Sequence, residues 1–127
     1  MEATLEANKR VVIGLYEAAI NRKDFEAARQ FLGSEYRQHN PTAADGPEGL
    51  EGYIDMLKSK YPRQHGEIKQ VIAEGDRVVL HVHSRRHDGS PDRAIVDIFR
   101  VVGGKVVEHW DVIQFIPGNA ENPNGMF

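Results

Sequence analysis

Two apolar segments near the end of the chain contain acid–base groups that an ordinary strand interior does not tolerate. Asp97 interrupts Ala94–Val102, and His109 and Asp111 interrupt Lys105–Ile116, both runs being rich in β-branched and aromatic residues. A carboxylate in a sheet core is costly unless it is paired or does chemistry. In apolar surroundings a carboxyl group holds its proton to higher pH, and an adjacent imidazole can trade protons with it near neutrality. Proton transfer is the chemistry these residue types support. A structural His–Asp pair, or an ion pair with Arg85 or Arg100, is the plainer reading.

Whether the groups meet depends on the elements that carry them. The Gly103-Gly104 pair between the two runs marks a tight hairpin. Alternation puts Ile95, Asp97, Phe99 and Val101 on one face of the first strand, and Val107, His109, Asp111 and Ile113 on one face of the second. A two-residue turn pairs Val102 with Lys105 and sets Asp97 opposite Trp110. A three-residue turn with a bulge pairs Val101 with Lys105 and sets Asp97 opposite His109. The second register is preferred. It gathers Asp97, His109 and Asp111 on a surface shared with Phe99 and Ile113, the mixture of apolar wall and polar groups that suits a ligand pocket.

The rest of the chain must supply the opposite wall. Leu5, Val12, Leu15, Tyr16 and Ala19 recur on one side of a helix from Ala3 to Asn21, so the Tyr16 hydroxyl must meet a partner or a cavity. Asp24 caps a short second helix whose stripe of Phe25, Ala28, Phe31 and Leu32 ends at Gly33, a plausible C-cap. Ser34–Asn40 reads as extended, because Asn40 precedes Pro41. After a turn-rich loop, Pro47 opens a third helix that carries Leu50, Tyr53, Ile54 and Leu57 inward and ends near Tyr61-Pro62. Gly49 and Gly52 weaken it by about 1 kcal/mol each relative to alanine. Strands follow over Glu67–Glu74 and Arg77–His87, completing a four-strand meander with the hairpin. Helices segregated from an antiparallel sheet make an α+β domain.

Composition narrows the function. The 127 residues fit a single domain over 1–127, with 1–116 as the core and 117–127 as a loosely ordered tail. A net charge of −3 without a dense Lys/Arg run argues against nucleic acid. There is no cysteine, which removes disulfides, thiolate catalysis and Cys-based zinc sites. No apolar run approaches a membrane span, and the first residues lack a signal-peptide core, so a cytoplasmic location is the default expectation. His81-Val-His83 has a spacing that can bind metal, but Val78, Leu80 and Val82 form the apolar side of that strand. The two histidines are therefore expected to face solvent or a subunit interface. Gly103-Gly-Lys105 precedes no helix, and no nucleophile elbow is present.

With these residues in view, the chain resembles the SnoaL-like polyketide cyclases of the nuclear transport factor 2-like superfamily, which also contains the ketosteroid isomerases. The resemblance rests on Tyr16, Asn21-Arg-Lys-Asp-Phe-Glu-Ala27, Tyr36-Arg-Gln-His-Asn-Pro41, Val96-Asp-Ile-Phe-Arg-Val101 and Gly104-Lys-Val-Val-Glu-His-Trp-Asp111. It implies a cone-shaped α+β fold, three N-terminal helices on a strongly curved, mostly antiparallel sheet, with an internal pocket and a homodimeric assembly. It also implies cofactor-independent proton transfer beside a carbonyl, as in intramolecular aldol condensation or double-bond isomerisation. By this similarity Asp97 matches the protonated acid that donates to an enolate oxygen in the isomerases, and Tyr16 its tyrosine partner. Where the isomerases carry a basic aspartate before the proline, this chain has Asn40, which cannot take a proton. His39 or the His109–Asp111 pair is left to serve, and steroid isomerisation is not expected. Asp111 is the candidate for the acid–base aspartate that the cyclases carry near the end of the last strand.

The expected site therefore comprises Asp97, His109 and Asp111 as catalytic groups, with His109 as base supported by Asp111. Tyr16, His39, Asn40, Tyr53, Phe99 and Trp110 are expected to bind a small apolar carbonyl compound. No metal, cofactor, nucleic acid or membrane is expected. The alternative is a module of the same fold that only binds a ligand or dimerises.

Overall fold

The computed structural model describes residues 2–127. Helix α1 (Glu2–Tyr16) runs on through a wider π-helical turn, Glu17–Asn21; α2 (Phe25–Ala28) is finished by a 3-10 turn, Arg29–Phe31. Strand β1 (Leu32–Gln38) and helix α3 (Gly46–Lys60) precede β2 (His65–Glu74), β3 (Arg77–Arg85), β4 (Arg93–Val102) and β5 (Lys105–Phe115). The five strands lie in the order β1-β5-β4-β3-β2, antiparallel except that β1 runs parallel to β5. The helices cover one face of this sheet. Val12, Leu15 and Ala18 from the first helical segment and Ile54 from α3 meet Val78, Leu80, Val82, Ile95 and Phe99 in one apolar core.

Three local expectations change. The second helical segment stops at Phe31, so Gly33 lies inside β1 and is no helix cap. A Cβ on Gly33 would come within 2.9 Å of Val107 Cγ1, and its absence lets β1 approach β5 closely. The extended segment expected after Ser34 begins at Leu32 and adds a fifth, parallel strand to the meander. β2 begins at His65, two residues before its expected start at Glu67.

The hairpin register corrects both sequence alternatives. The turn is the two-residue one, with Val102 paired to Lys105, but β5 carries an extra residue. Val101 pairs with Val106 and Arg100 with Glu108, leaving Val107 unmatched. This bulge shifts the strands so that Asp97 faces Asp111, not Trp110 or His109, and Phe99 faces His109. It also changes the inward set in β5: Val106, rather than Val107, shares the core side with His109. Asp97, His109 and Asp111 still share one surface, reached by a different route.

Local contacts fix the first helical segment and α2 over that surface. Asn21 clasps the backbone of Gly66 at the start of β2, donating to its carbonyl (3.0 Å) and accepting from its N–H (2.8 Å). Asp24 caps α2 as expected, accepting from the Ala27 N–H at 3.1 Å. Beyond Phe115 the chain has no helix or strand, yet the terminal Phe127 ring stacks on His83 at 4.5 Å on the sheet's outer side. No helix among the described residues is long and apolar enough to cross a membrane.

The two glycines inside α3, Gly49 and Gly52, differ in their surroundings. A Cβ on Gly49 would sit 1.9 Å from the Ala44 carbonyl oxygen, whereas one on Gly52 meets nothing within 4 Å. Gly52→Ala should therefore raise stability by about 0.5–1 kcal/mol through helix propensity. Gly49→Ala should lower it by about 1–3 kcal/mol, because the clash is with backbone. Urea unfolding of both variants checks this, and a stabilised Gly49→Ala protein would show that the α3 entry loop relaxes freely.

Candidate active site

Asp97, His109 and Asp111 lie on the inner face of β4 and β5, against a cavity bounded opposite by α1, its π-helical turn and α3. The cavity holds about 680 Å³ of empty space, part of it open to solvent. Its apolar wall includes Leu15, Ala19, Leu50, Ile95, Phe99 and Ile113. Asp97 is 5% exposed and His109 7%. Tyr16, Asn40 and Tyr53 also line the cavity, as the sequence expects.

The hydrogen positions follow from the network. Gln38 Oε1 accepts the Asn40 backbone N–H at 2.9 Å, so the oxygen of that amide is the atom turned toward His109. His109 Nδ1 lies 2.7 Å from the same oxygen and must therefore donate to it. His109 Nε2 then faces Asp97 Oδ1 at 2.8 Å. That contact holds one proton, either as a carboxylic acid donating to the imidazole or as an imidazolium donating to a carboxylate. Burial pushes the Asp97 pKa up and outweighs the opposing hydrogen bond and charge of His109, which favours the neutral acid.

Asp111 is held differently. Asn40 Nδ2 donates to both of its oxygens, at 2.9 and 2.8 Å. The Asn40 amide is fixed in turn by its own oxygen, which accepts from the Thr42 N–H (2.8 Å) and hydroxyl (2.7 Å). Asp111 is thus an acceptor on both oxygens, the role of a carboxylate. It stands 3.9 Å from His109 Nε2, beyond hydrogen-bond distance. The expected support of His109 by Asp111 is not a hydrogen bond here: Gln38 orients the ring. Asn40, which cannot act as a base, serves to hold Asp111.

The tyrosines complete the polar lining. The Tyr16 hydroxyl has no hydrogen-bond partner among the described residues, and burial followed by the nearby Asp97 charge raises its pKa well above that of a free phenol. It therefore remains a donor at neutral pH. Burial likewise raises Tyr36 and Tyr53. A Cβ on Gly66 would lie 2.0 Å from the Tyr16 hydroxyl oxygen, so glycine at this point is what gives Tyr16 its place.

Two expected binding residues lie elsewhere. His39 and Trp110 stack on each other (4.9 Å, 4° between planes), and His39 Nε2 contacts Glu108 Oε2 at 2.7 Å. Glu108 and Trp110 alternate with His109 and Asp111 along β5 and so point away from the cavity. His39 belongs with them on that outer face, and neither ring lines the pocket. Gln38, Tyr36, Arg93 and Gln64 do line it, although sequence analysis does not single them out as site residues. Tyr36, Gln38 and Asn40 are two apart along an extended segment, and a period-two reading of it finds Gln38. His81 and His83 lie on the outer side of β3, beside Phe127.

Asp97, His109 and Asp111 offer ligand atoms within 4.8 Å of one another, a spacing that can hold a cation. The donors already aimed at them compete with that use. Asn40 N–H groups occupy Asp111, and the Asp97–His109 contact is closed by a proton.

Comparison with known proteins agrees with this architecture. The profile of the SnoaL-like domain matches residues 12–109. No curated protein matches the chain. Among solved structures, TsrD from Streptomyces laurentii is 23% identical with a TM-score of 0.72, covering 85% of this chain and 88% of that one. A Jannaschia protein provisionally described as a SnoaL-like polyketide cyclase is 19% identical with a TM-score of 0.71, covering 85% of each chain. An NTF2-like protein of unknown function from Cytophaga hutchinsonii is 16% identical, with a TM-score of 0.67 and coverages of 84% and 89%. At these identities the likeness speaks for the fold: an NTF2-like α+β domain. The profile match, covering most of the chain, makes the protein a member of the SnoaL-like domain family.

Proposed function

We propose that the protein is a cofactor-independent enzyme of the SnoaL-like polyketide cyclase type. It moves a proton beside the carbonyl of a small, mainly apolar compound, in an intramolecular aldol condensation or an isomerisation. The observation that carries this reading is the 2.8 Å Asp97–His109 contact, beside an Asp111 that accepts from Asn40 on both oxygens, in an open and largely apolar cavity. In this reading Asp111 removes the proton from carbon, using lone pairs that Asn40 leaves free. The Asp97–His109 proton and the Tyr16 hydroxyl stabilise the oxygen on which enolate charge develops. Tyr53 and Phe99 form part of the wall against which the substrate lies. A module that only binds its ligand is the competing reading, and the complete hydrogen bonding of His109 in the free protein favours it.

Deuterium uptake at the α-carbon of aromatic ketones, 2-acetonaphthone among them, separates the two. The wild-type protein should accelerate exchange in D2O, and Asp111→Asn should slow it by about 10²-fold or more, the range of a lost general base. Exchange no faster than in buffer across the ketones would leave the binding module as the better reading.

Stability against pH tests the state of Asp97 separately. Its folded pKa is raised above the unfolded value by burial, so its contribution is fully present below the unfolded pKa and declines as pH rises through the folded one. Asn mimics the protonated acid. Asp97→Asn should therefore gain stability relative to wild type as pH rises from 4 to 8, while losing exchange activity. A gap between the two proteins that does not change with pH would contradict a raised Asp97 pKa.

We further propose a homodimer formed through the outer face of the sheet. That face exposes Val112 (70%) and Val96 (37%), a cross-strand pair beside the His39–Trp110 stack, and a second copy would cover them. Light scattering should give twice the mass of one chain, and Val112→Lys should shift it toward one. A wild-type protein at the mass of a single chain would rule the dimer out.

A further inference from the structure

Arg93 is the polar group in the pocket that the proton-transfer chemistry leaves without a task. It begins β4, points inward with Ile95 and Asp97, and lines the same cavity. It is only 5% exposed. Nη2 donates to Ser84 Oγ at 3.2 Å and the guanidinium also meets the Tyr53 hydroxyl, both neutral partners, while Nε is buried without any hydrogen-bond partner. Its charged and titratable neighbours are Arg86, Tyr53 and Tyr16, and no carboxylate of the described residues forms an ion pair with it. Asp97 senses it only as the weakest of the influences on its carboxyl group.

A buried cation with no anion is among the least favourable arrangements a fold can hold, because desolvation is not repaid by a counter-charge. Burial and the neighbouring Arg86 lower the Arg93 pKa, but a guanidinium starts so high that it stays protonated at neutral pH. The surroundings add positive character. Arg86 Nε donates to the Gln64 side chain at 3.0 Å, and Lys23 Nζ to the Gln64 carbonyl at 2.6 Å, with Gln64 itself lining the pocket. The cavity is thus bipolar, with acids at one end and, at the other, Arg93 without a carboxylate partner, backed by Arg86 and Lys23 behind Gln64. Arg93 and Asp97 are four residues apart on one strand, roughly 13 Å between Cα atoms.

We propose that the pocket takes an anionic ligand, a ring-bearing carboxylate whose acid group pairs with Arg93 while its apolar body extends toward Asp97, His109 and Asp111. Planar guanidinium and carboxylate groups match in a two-point contact, and the pair would form out of water, where it discriminates strongly against a neutral group. This rests on the proposed function only for where the reacting carbonyl lies. It sharpens the substrate class from an apolar carbonyl compound to a keto acid.

Calorimetry with 2-naphthoate and methyl 2-naphthoate, probes of similar shape that differ in charge, tests the assignment. The wild-type protein should bind 2-naphthoate at least tenfold more tightly than the ester. Arg93→Met should abolish that preference while leaving ester affinity within about threefold. Equal affinities, no binding of either probe, or a preference that survives Arg93→Met would each overturn the proposal. Should Arg93→Met not fold, the 15N-labelled wild-type protein decides. 2-Naphthoate, and not the ester, should move the Arg93 Nε–H resonance, and an unmoved resonance refutes the pairing. Because binding is read without turnover, a protein selective for 2-naphthoate but inactive in exchange with both neutral ketones and 6-acetyl-2-naphthoate would refute the catalytic reading and leave this one intact.

Discussion

One extra residue in β5 governs the site. Val107 has no partner in β4, and the one-residue offset it introduces decides which side chains of β5 face the cavity. Without the bulge, strict alternation would put either Val106 or His109 on the inner face, not both. With it, Val106 closes the apolar core and His109 and Asp111 still point inward, opposite Phe99 and Asp97. The neighbouring strand accommodates the irregularity. Gly33 lets β1 approach Val107 closely, and β1 loses its own register with β5 over the same stretch. Bulges recur near functional sites because they re-aim a side chain without ending the ladder.

The polar groups so gathered form a chain in which each member fixes the next. The Asn40 backbone orients Gln38, Gln38 fixes the hydrogen on His109 Nδ1, and His109 shares its other nitrogen's proton with Asp97. The Asn40 side chain holds Asp111 from the same loop. A buried network of this kind is tolerable only when its members are satisfied. Within it, Asp97 and His109 are closed on each other. Arg93, on the same strand, has neutral partners in Ser84 and Tyr53, but its Nε has no hydrogen-bond partner and no carboxylate of the described residues pairs with it. That contrast separates charges whose counter-groups belong to the fold from a cation to which the described residues give no counter-charge.

Much of the architecture was legible because it depends on local periodicity. The apolar stripes of α1 and α3, the Asp24 cap and the Gly103-Gly104 turn each follow from spacing and backbone preference over a few residues. Asp97, His109 and Asp111 stood out for a similar reason, as ionisable groups where a strand pattern calls for apolar ones. Gly33 is ambiguous in sequence, because a glycine after an apolar helical stripe serves equally as a helix cap or as a point of close strand approach. Only the position of Val107 distinguishes the two. His39 was misplaced because it neighbours Asn40 in sequence, while in a strand adjacent side chains point to opposite faces.

The sequence by itself determined the α+β class, the hairpin, the inward helix faces and the acidic and imidazole groups of the site, since each is encoded within one element. Tertiary structure alone decided the register of β4 against β5, the parallel docking of β1, the partner of each ring nitrogen on His109 and the burial of Arg93 away from any carboxylate partner. Those depend on which residues far apart in the chain come within hydrogen-bond distance. A one-residue shift in pairing, invisible to composition or periodicity, is enough to change all of them.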